Sequence, residues 1–301
     1  MRLLIATYVY GEQFLDLFDR YCLRSLMQAG NIPYLLKQGY EIIYIIYTKP
    51  RDVQRLTAII DKYKTEKIEY RITTNRFVGN ETEVSKANSI FLLESVGFAV
   101  TNKAPFFLAS PDIFVGDFSL SNLLTYNTNK DICLAALHLR VDSVLFQRWY
   151  NEEAILPVSN ARLVTTSMGI LSQSWRDSFI DKGRNCSFTA NSAVQKIQDN
   201  LYNVTFRIPN VFLARLNQSD VDYFNQHPNL GNWDHSWPEH LVKGRRYKFI
   251  GSSDMFFACE ATYVDNNKSD CRDNDLWNDE CINTKLHSET NRNFLAIIRG
   301  E

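Results

Sequence analysis

The chain carries no Cys-x-x-Cys pair among its six cysteines, which takes away the metal-ribbon and dithiol readings. Cys22 and Cys133 sit in apolar patterns and read as buried thiols. Cys271 and Cys281 would pair only in an oxidising compartment. Charge of one sign is also lacking. With 33 basic and 34 acidic residues the net charge is −1, so no global field recruits nucleic acid or an anionic membrane. Lys243-Gly244-Arg245-Arg246 is the one compact basic run. No apolar run approaches the roughly 18 residues that span a bilayer. The opening Met1–Thr7 is too short for a signal-peptide core and runs straight into a strand pattern, so a cytoplasmic protein is expected. On that expectation the sequons at Asn80 and Asn203 carry no weight. A Gly-x-Gly-x-x-Gly fingerprint, a phosphate loop and a His-Glu-x-x-His motif are all missing, which weakens dehydrogenase, NTPase and zinc-hydrolase readings.

What is present is ordinary globular composition, 45% hydrophobic and 22% charged, with 15 Tyr and 19 Phe. Strand and helix patterns alternate over the first ~140 residues. Strands are expected at 2–8, 41–47, 68–72, 105–110 and 132–137, and helices at 14–26, 51–64, 82–100 and 119–125. That alternation predicts an α/β fold with a mainly parallel sheet flanked by helices. The rest reads as an irregular α+β half. Residues 143–182 look largely helical, 204–214 extended with Pro209 demoting the strand to an edge, and 247–250 and 255–261 short and apolar. Residues 265–293 read as loop and 294–298 as a last docked element. There is no internal repeat and no clean linker. One continuous domain is expected, with a regular half over 1–142 and an irregular half over 143–301.

The most informative stretch is Phe106 to Val115, an apolar strand interrupted by Ser110-Pro111-Asp112. A carboxylate there is costly unless it meets a metal, a charge or donors. Asp112, with Asp117 five residues on, suits a divalent cation, or Asp112 caps its own turn. The first strand ends in Thr7, Tyr8, Tyr10, Gly11 and Glu12, and the second in Tyr47 and Thr48. These offer backbone N–H groups, hydroxyls and rings at the ligand edge of the sheet, or plain core packing. Trp233-Asp234-His235-Ser236-Trp237 places two indoles beside a histidine, for stacking on a sugar and for a base or ligand. Asp254 reads as a second buried carboxylate, either an acceptor-side base or a turn cap, and Lys243 and Arg245 as partners for a diphosphate.

Taken in order, these elements resemble GT-A glycosyltransferases, especially poorly characterised bacterial glycosyltransferase-like proteins. The resemblance rests on Leu4–Glu12 with Cys22–Leu26, Gly30-Asn31-Ile32-Pro33, Tyr47-Thr48, Ser110-Pro111-Asp112 with Gly116-Asp117, and Ser252-Ser253-Asp254. It covers most of 1–142 and scattered points to about 262. It implies a GT-A-like (Rossmann-like) sheet, a nucleotide-sugar-binding half at 1–142, an acceptor-binding half with a C-terminal wrap at 143–301, and a donor held by Thr7, Tyr8, Tyr10, Glu12, Tyr47, Thr48, Ser110, Lys243 and Arg245. Asp112 and Asp117 would hold Mn²⁺ or Mg²⁺, although Ser110 stands where an Asp-x-Asp motif has its first acid. Asp254 or His235 would be the base if the reaction inverts, and Trp233 and Trp237 would meet a glycan, lipid-linked or protein acceptor. Family habit points to surface-polysaccharide biosynthesis. The competing readings are a GT-A-like domain that binds sugar or protein without turnover, and a nucleotidyltransferase, for which Thr7–Glu12 lacks a basic glycine-rich loop.

Overall fold

A computed structural model describes residues 1–74, 81–126, 132–176, 192–206, 210–227, 236–262 and 294–300. In chain order it runs β1 (Arg2–Tyr8), α1 (Glu12–Leu17), a π-helical turn (Phe18–Leu23), α2 (Arg24–Leu26), α3 (Ile32–Lys37) and β2 (Glu41–Thr48). Then come α4 (Val53–Asp61), β3 (Ile68–Thr74), α5 (Glu81–Thr101), β4 (Phe106–Leu108), β5 (Ile113–Val115), α6 (Ser119–Tyr126), β6 (Cys133–Ala136) and β7 (His138–Asp142). The rest is α7 (Ser143–Glu152), α8 (Asn160–Gly169), α9 (Gln173–Arg176), β8 (Ser192–Gln198), β9 (Leu201–Phe206) and β10 (Asn210–Ala214), followed by α10 (Gln218–Gln226), α11 (Ser236–Lys243), β11 (Tyr247–Ile250), β12 (Ala258–Thr262) and β13 (Phe294–Arg299). The chain divides into two compact units that interleave in sequence. Unit 1 is Met1–Ile113, Leu120–Ala135 and Asn210–Lys248; unit 2 is Phe114–Ser119, Ala136–Pro209 and Phe249–Glu301.

Unit 1 is built on a mainly parallel sheet of order β11-β6-β10-β4-β1-β2-β3, flanked by helices. β1 pairs in parallel with β2 and β4, and β2 with β3. β2 explains itself: every residue of Ile42–Thr48 is buried, so the strand has no polar face and must lie inside a sheet covered on both sides. α4 turns Leu56, Ile59 and Ile60 inward, one stripe of an amphipathic helix. Asn31, fully buried, accepts from the backbone N–H of Leu120 (3.0 Å) and donates to the carbonyl of Ser25 (3.0 Å), while Ser121 donates to the carbonyl of Gly30 (2.7 Å). The Gly30-Asn31 pair is therefore a clamp on the first turn of α6.

One strand departs from expectation. Residues 204–214 are not a single edge strand; they divide between β9 and β10, in different sheets. β10 lies inside the large sheet, antiparallel to β4. Pro209 falls outside the described residues, and β10 begins after it, so the ladder loses no donor to proline.

Unit 2 carries two three-stranded sheets, β5-β12-β7 and β13-β9-β8, the second antiparallel. β12 runs parallel to β7, so Glu260 and Arg140 are register partners. The Glu260 carboxylate lies 3.1 Å from His138 Nε2 and 3.5 Å from Arg140 Nε. Burial alone would raise its pKa; the hydrogen bond and charge of His138, then Arg140, hold it below the ordinary 4.5. A carboxylate depressed on folding contributes stability above its unfolded pKa and loses it as pH falls through the folded value. Urea melts should therefore show a fall in stability below pH 4.5 that Glu260→Gln flattens. An unchanged acid slope in that variant would refute the assignment.

Candidate functional site

In an open α/β sheet, ligands bind beyond the carboxyl ends of the strands, where the strand order reverses. Here β2 and β3 extend from one side of β1, and β4 lies on the other, so the reversal falls between β1 and β4. Ala6 pairs with Leu108 at that end, which sets Thr7-Tyr8 beside Ala109-Ser110. Asp112 follows two residues after Ser110, is half-buried, and accepts a hydrogen bond from the Ser110 hydroxyl. Ser110, in the place of a first acid, thus donates to the second residue's carboxylate instead of adding a ligand. Among the described residues no group of three His, Cys, Asp or Glu could hold a metal. Among the described residues one carboxylate, Asp112, stands in the loop after β4 at this edge, and Mg²⁺ is commonly bound through one or two carboxylates and its own waters.

The turns after β1 and β2 are tied together. Gly11, at φ +82°, takes a conformation that costs any residue with a Cβ. Its N–H donates to Asp52 Oδ2 at 2.8 Å, and Asp52 is only 8% exposed. The Lys49 ammonium lies 4.8 Å from the Tyr10 ring centroid. Tyr8 and Tyr10 are half-buried and keep surface at this edge; Glu12 is exposed, 3.8 Å from Arg55 Nη1. Three other expected donor contacts are committed inward. The Thr7 hydroxyl is buried against the Tyr44 hydroxyl at 2.9 Å. Tyr47 is buried, its ring 3.9 Å from that of Phe91 and its hydroxyl donating to Glu94 at 3.0 Å. Thr48 is 2% exposed, its hydroxyl without a hydrogen-bond partner. Alternation decides these: residues before the last turn of a doubly covered strand point into a helix layer, whichever end they occupy.

Lys243 and Arg245 do not reach this edge. The Arg246 carbonyl accepts from the N–H of Cys133, the first residue of β6, and its guanidinium donates to the Arg215 carbonyl just past β10. Ala214 of β10 pairs with Phe106, the first residue of β4. The basic run therefore sits at the amino edge, opposite the carboxyl ends, with Lys243 and Arg245 exposed there. Trp237 is also reassigned. It is fully buried, its indole N–H donating to Asp220 at 3.3 Å, so it has no face to stack on a sugar. A cleft of about 520 Å³ also lies at the amino edge, lined by Tyr40 and Lys67 among others, and its Arg2 and Arg71 pair with Glu41 and Glu69.

Asp117 and Asp254 belong to unit 2, Asp112 to unit 1. Asp254 is exposed on a turn, contrary to a buried reading, with its N–H on Ser252 Oγ at 3.3 Å. Asp117 is half-buried, its N–H donating to the Val158 carbonyl at 2.8 Å. Asn160 stitches these loops: its Oδ1 accepts from Ser119 Oγ (2.7 Å) and its Nδ2 donates to the Asp254 carbonyl (3.4 Å). Trp233 and His235 lie outside the described residues. Sequence reasoning gave Lys49 and Asp52 no role; their place just after the carboxyl end of β2 was the signal. The buried thiols of Cys22 and Cys133 are as expected, each pushed up to about 12 by burial, which leaves them unreactive.

No family model matches the chain, and no curated protein matches it. Among solved structures, it is similar to mouse xyloside xylosyltransferase 1 in its apo form, with TM-score 0.34 and 10% identity over 51% of this chain and 59% of that one. It is similar also to TarS of S. aureus, with TM-score 0.31 and 15% identity over 47% of this chain and 22% of that one. In each case the match spans less than two thirds of the other protein's length.

Proposed function

We propose that the chain is a glycosyltransferase that moves a sugar from a nucleotide-diphosphate-sugar donor to an acceptor hydroxyl. The observation that carries this reading is a half-buried aspartate in the loop after β4, four residues past Leu108, at the edge where the strand order reverses. The donor lies along that edge, with Tyr8 and Tyr10 for the base and Ser110 and Asp112 toward the diphosphate. In the reaction the bond from the sugar's C1 to the diphosphate oxygen breaks, and the diphosphate leaves with the electron pair. The acceptor oxygen bonds C1 and gives up its proton. If the reaction inverts, a base must take that proton as it leaves the acceptor oxygen. A divalent cation arriving with the donor would rest on Asp112 and supply positive charge to the leaving diphosphate. The acceptor is a glycan, a lipid-linked sugar or a protein. Nothing in a net charge of −1 favours nucleic acid, and no described helix is long and apolar enough to cross a membrane.

The second reading, a domain that binds without turnover, is favoured by one observation: Ser110 occupies the first acidic place and bonds to Asp112. Thermal shift against UDP-, GDP-, CMP- and TDP-sugars, each with Mn²⁺, Mg²⁺ or EDTA, separates the two. A donor at about 100 times its Kd adds roughly 2.7 kcal/mol to stability and raises Tm. We expect such a rise for one base family, lost in Asp112→Asn. A folded protein with no shift for any donor sinks the donor site.

A further inference from the structure

The expected cations for the donor's diphosphate, Lys243 and Arg245, lie at the wrong edge of the sheet, and among the described residues the carboxylate set for a metal is thin. A diphosphate still needs positive charge close by. We propose that Lys49 supplies it, as the side chain that meets the diphosphate of the bound nucleotide. This rests on the donor reading above.

Lys49 is the first residue past β2, at the carboxyl edge and adjacent to β1. It is half-buried, so its stem is held while its head can move. Of the other cations on these turns, Arg55 lies 2.5 Å from Asp16 and 3.8 Å from Glu12, and Arg51 is 3.8 Å from Asp52. Lys49 has no carboxylate partner among the described residues; its ammonium rests on the Tyr10 ring. A cation–π contact at a part-exposed site is weak and non-directional, so a phosphoryl oxygen displaces it readily. The geometry has a further consequence: Lys49 leaving Tyr10 uncovers the ring at the edge where a base would stack. The turn carrying Tyr10 is already fixed to the turn carrying Lys49 through Gly11 and Asp52, so the cradle needs little ordering when a ligand enters.

The test is calorimetric binding of uridine, UMP and UDP, and of the matching guanosine, cytidine and thymidine series, with Mg²⁺ and with EDTA. For the base family that binds, Lys49→Met should weaken the diphosphate by about tenfold or more and change the nucleoside less than about twofold. Lys49→Arg should restore most of that loss, and the salt dependence of diphosphate binding should flatten in the Met variant. A Met variant that binds the diphosphate as the wild type does overturns the proposal. So does one that weakens nucleoside and diphosphate equally, which would place the effect in Tyr10. Wild-type protein that binds none of these compounds removes the donor reading itself and this inference with it; the two failures are distinct.

Discussion

Asp220→Ala should lower the unfolding free energy by about 3–5 kcal/mol, the range for stripping one partner from a buried ion pair. Asp220 is fully buried, and both of its oxygens are taken. Arg246 donates to each at 2.9 Å in a bidentate fork, the Trp237 indole N–H reaches Oδ1 at 3.3 Å, and the N–H of Asn217 reaches Oδ2 at 2.8 Å. The last closes a capping box on α10. Removing the carboxylate takes the bidentate acceptor from a guanidinium that is only 16% exposed, takes the Oδ1 acceptor from the buried indole, and opens one half of the α10 capping box. Asp220→Asn should cost less, since an amide oxygen still accepts. Breaking the exposed pair Arg148–Glu152, 73% and 59% exposed, should change stability by no more than about 0.5 kcal/mol. Urea denaturation of the three variants gives the comparison. A loss below about 1 kcal/mol for Asp220→Ala would mean that the Arg246 cluster is solvated and peripheral.

That cluster also shows where a one-dimensional reading stops. Trp237 stands in a run of polar residues and looks like a surface indole; its burial comes from a carboxylate 17 positions upstream, with no local trace. Lys243 and Arg245 look like phosphate ligands until the direction of β11 is known, and composition carries no direction. The mainly parallel sheet, by contrast, was legible. The isoleucine-rich β2, the amphipathic α4 and the alternation of short apolar runs with helical stripes each follow from burial on a local period. The position of Asp112 past the carboxyl end of β4 was legible for the same reason, as a charge soon after a run that had to be buried. Tyr47 and Thr48 were misjudged because they end a strand whose side chains remain enclosed by its covering layers.

Gly116→Ala should be among the most damaging small changes in unit 2, at about 1–3 kcal/mol for an overpacked methyl. The position does not need a left-handed backbone; it needs the space. A Cβ built there overlaps Asn160 Oδ1, with Asn160 Cγ at 3.0 Å and Asn160 Cα at 3.3 Å behind it. The side chain cannot simply swing away. Its Oδ1 accepts from Ser119 Oγ at 2.7 Å, and Ser119 Oγ in turn accepts from the N–H of Phe257 at 3.1 Å. The N–H of Gly116 itself donates to the Phe257 carbonyl at 3.0 Å. A methyl therefore either breaks the Asn160–Ser119 bond or parts the segment 116–119 from 254–257. Asn160→Ala vacates the space at the cost of its own hydrogen bonds, so the two changes should not add. The double variant should be less destabilised than the sum of the singles by about 0.5–3 kcal/mol. Additive losses in thermal and urea melts would refute the steric account and leave Gly116 a residue of flexibility alone. If the coupling holds, Asn160 and Gly116 together fix the loops that bear Asp117 and Asp254.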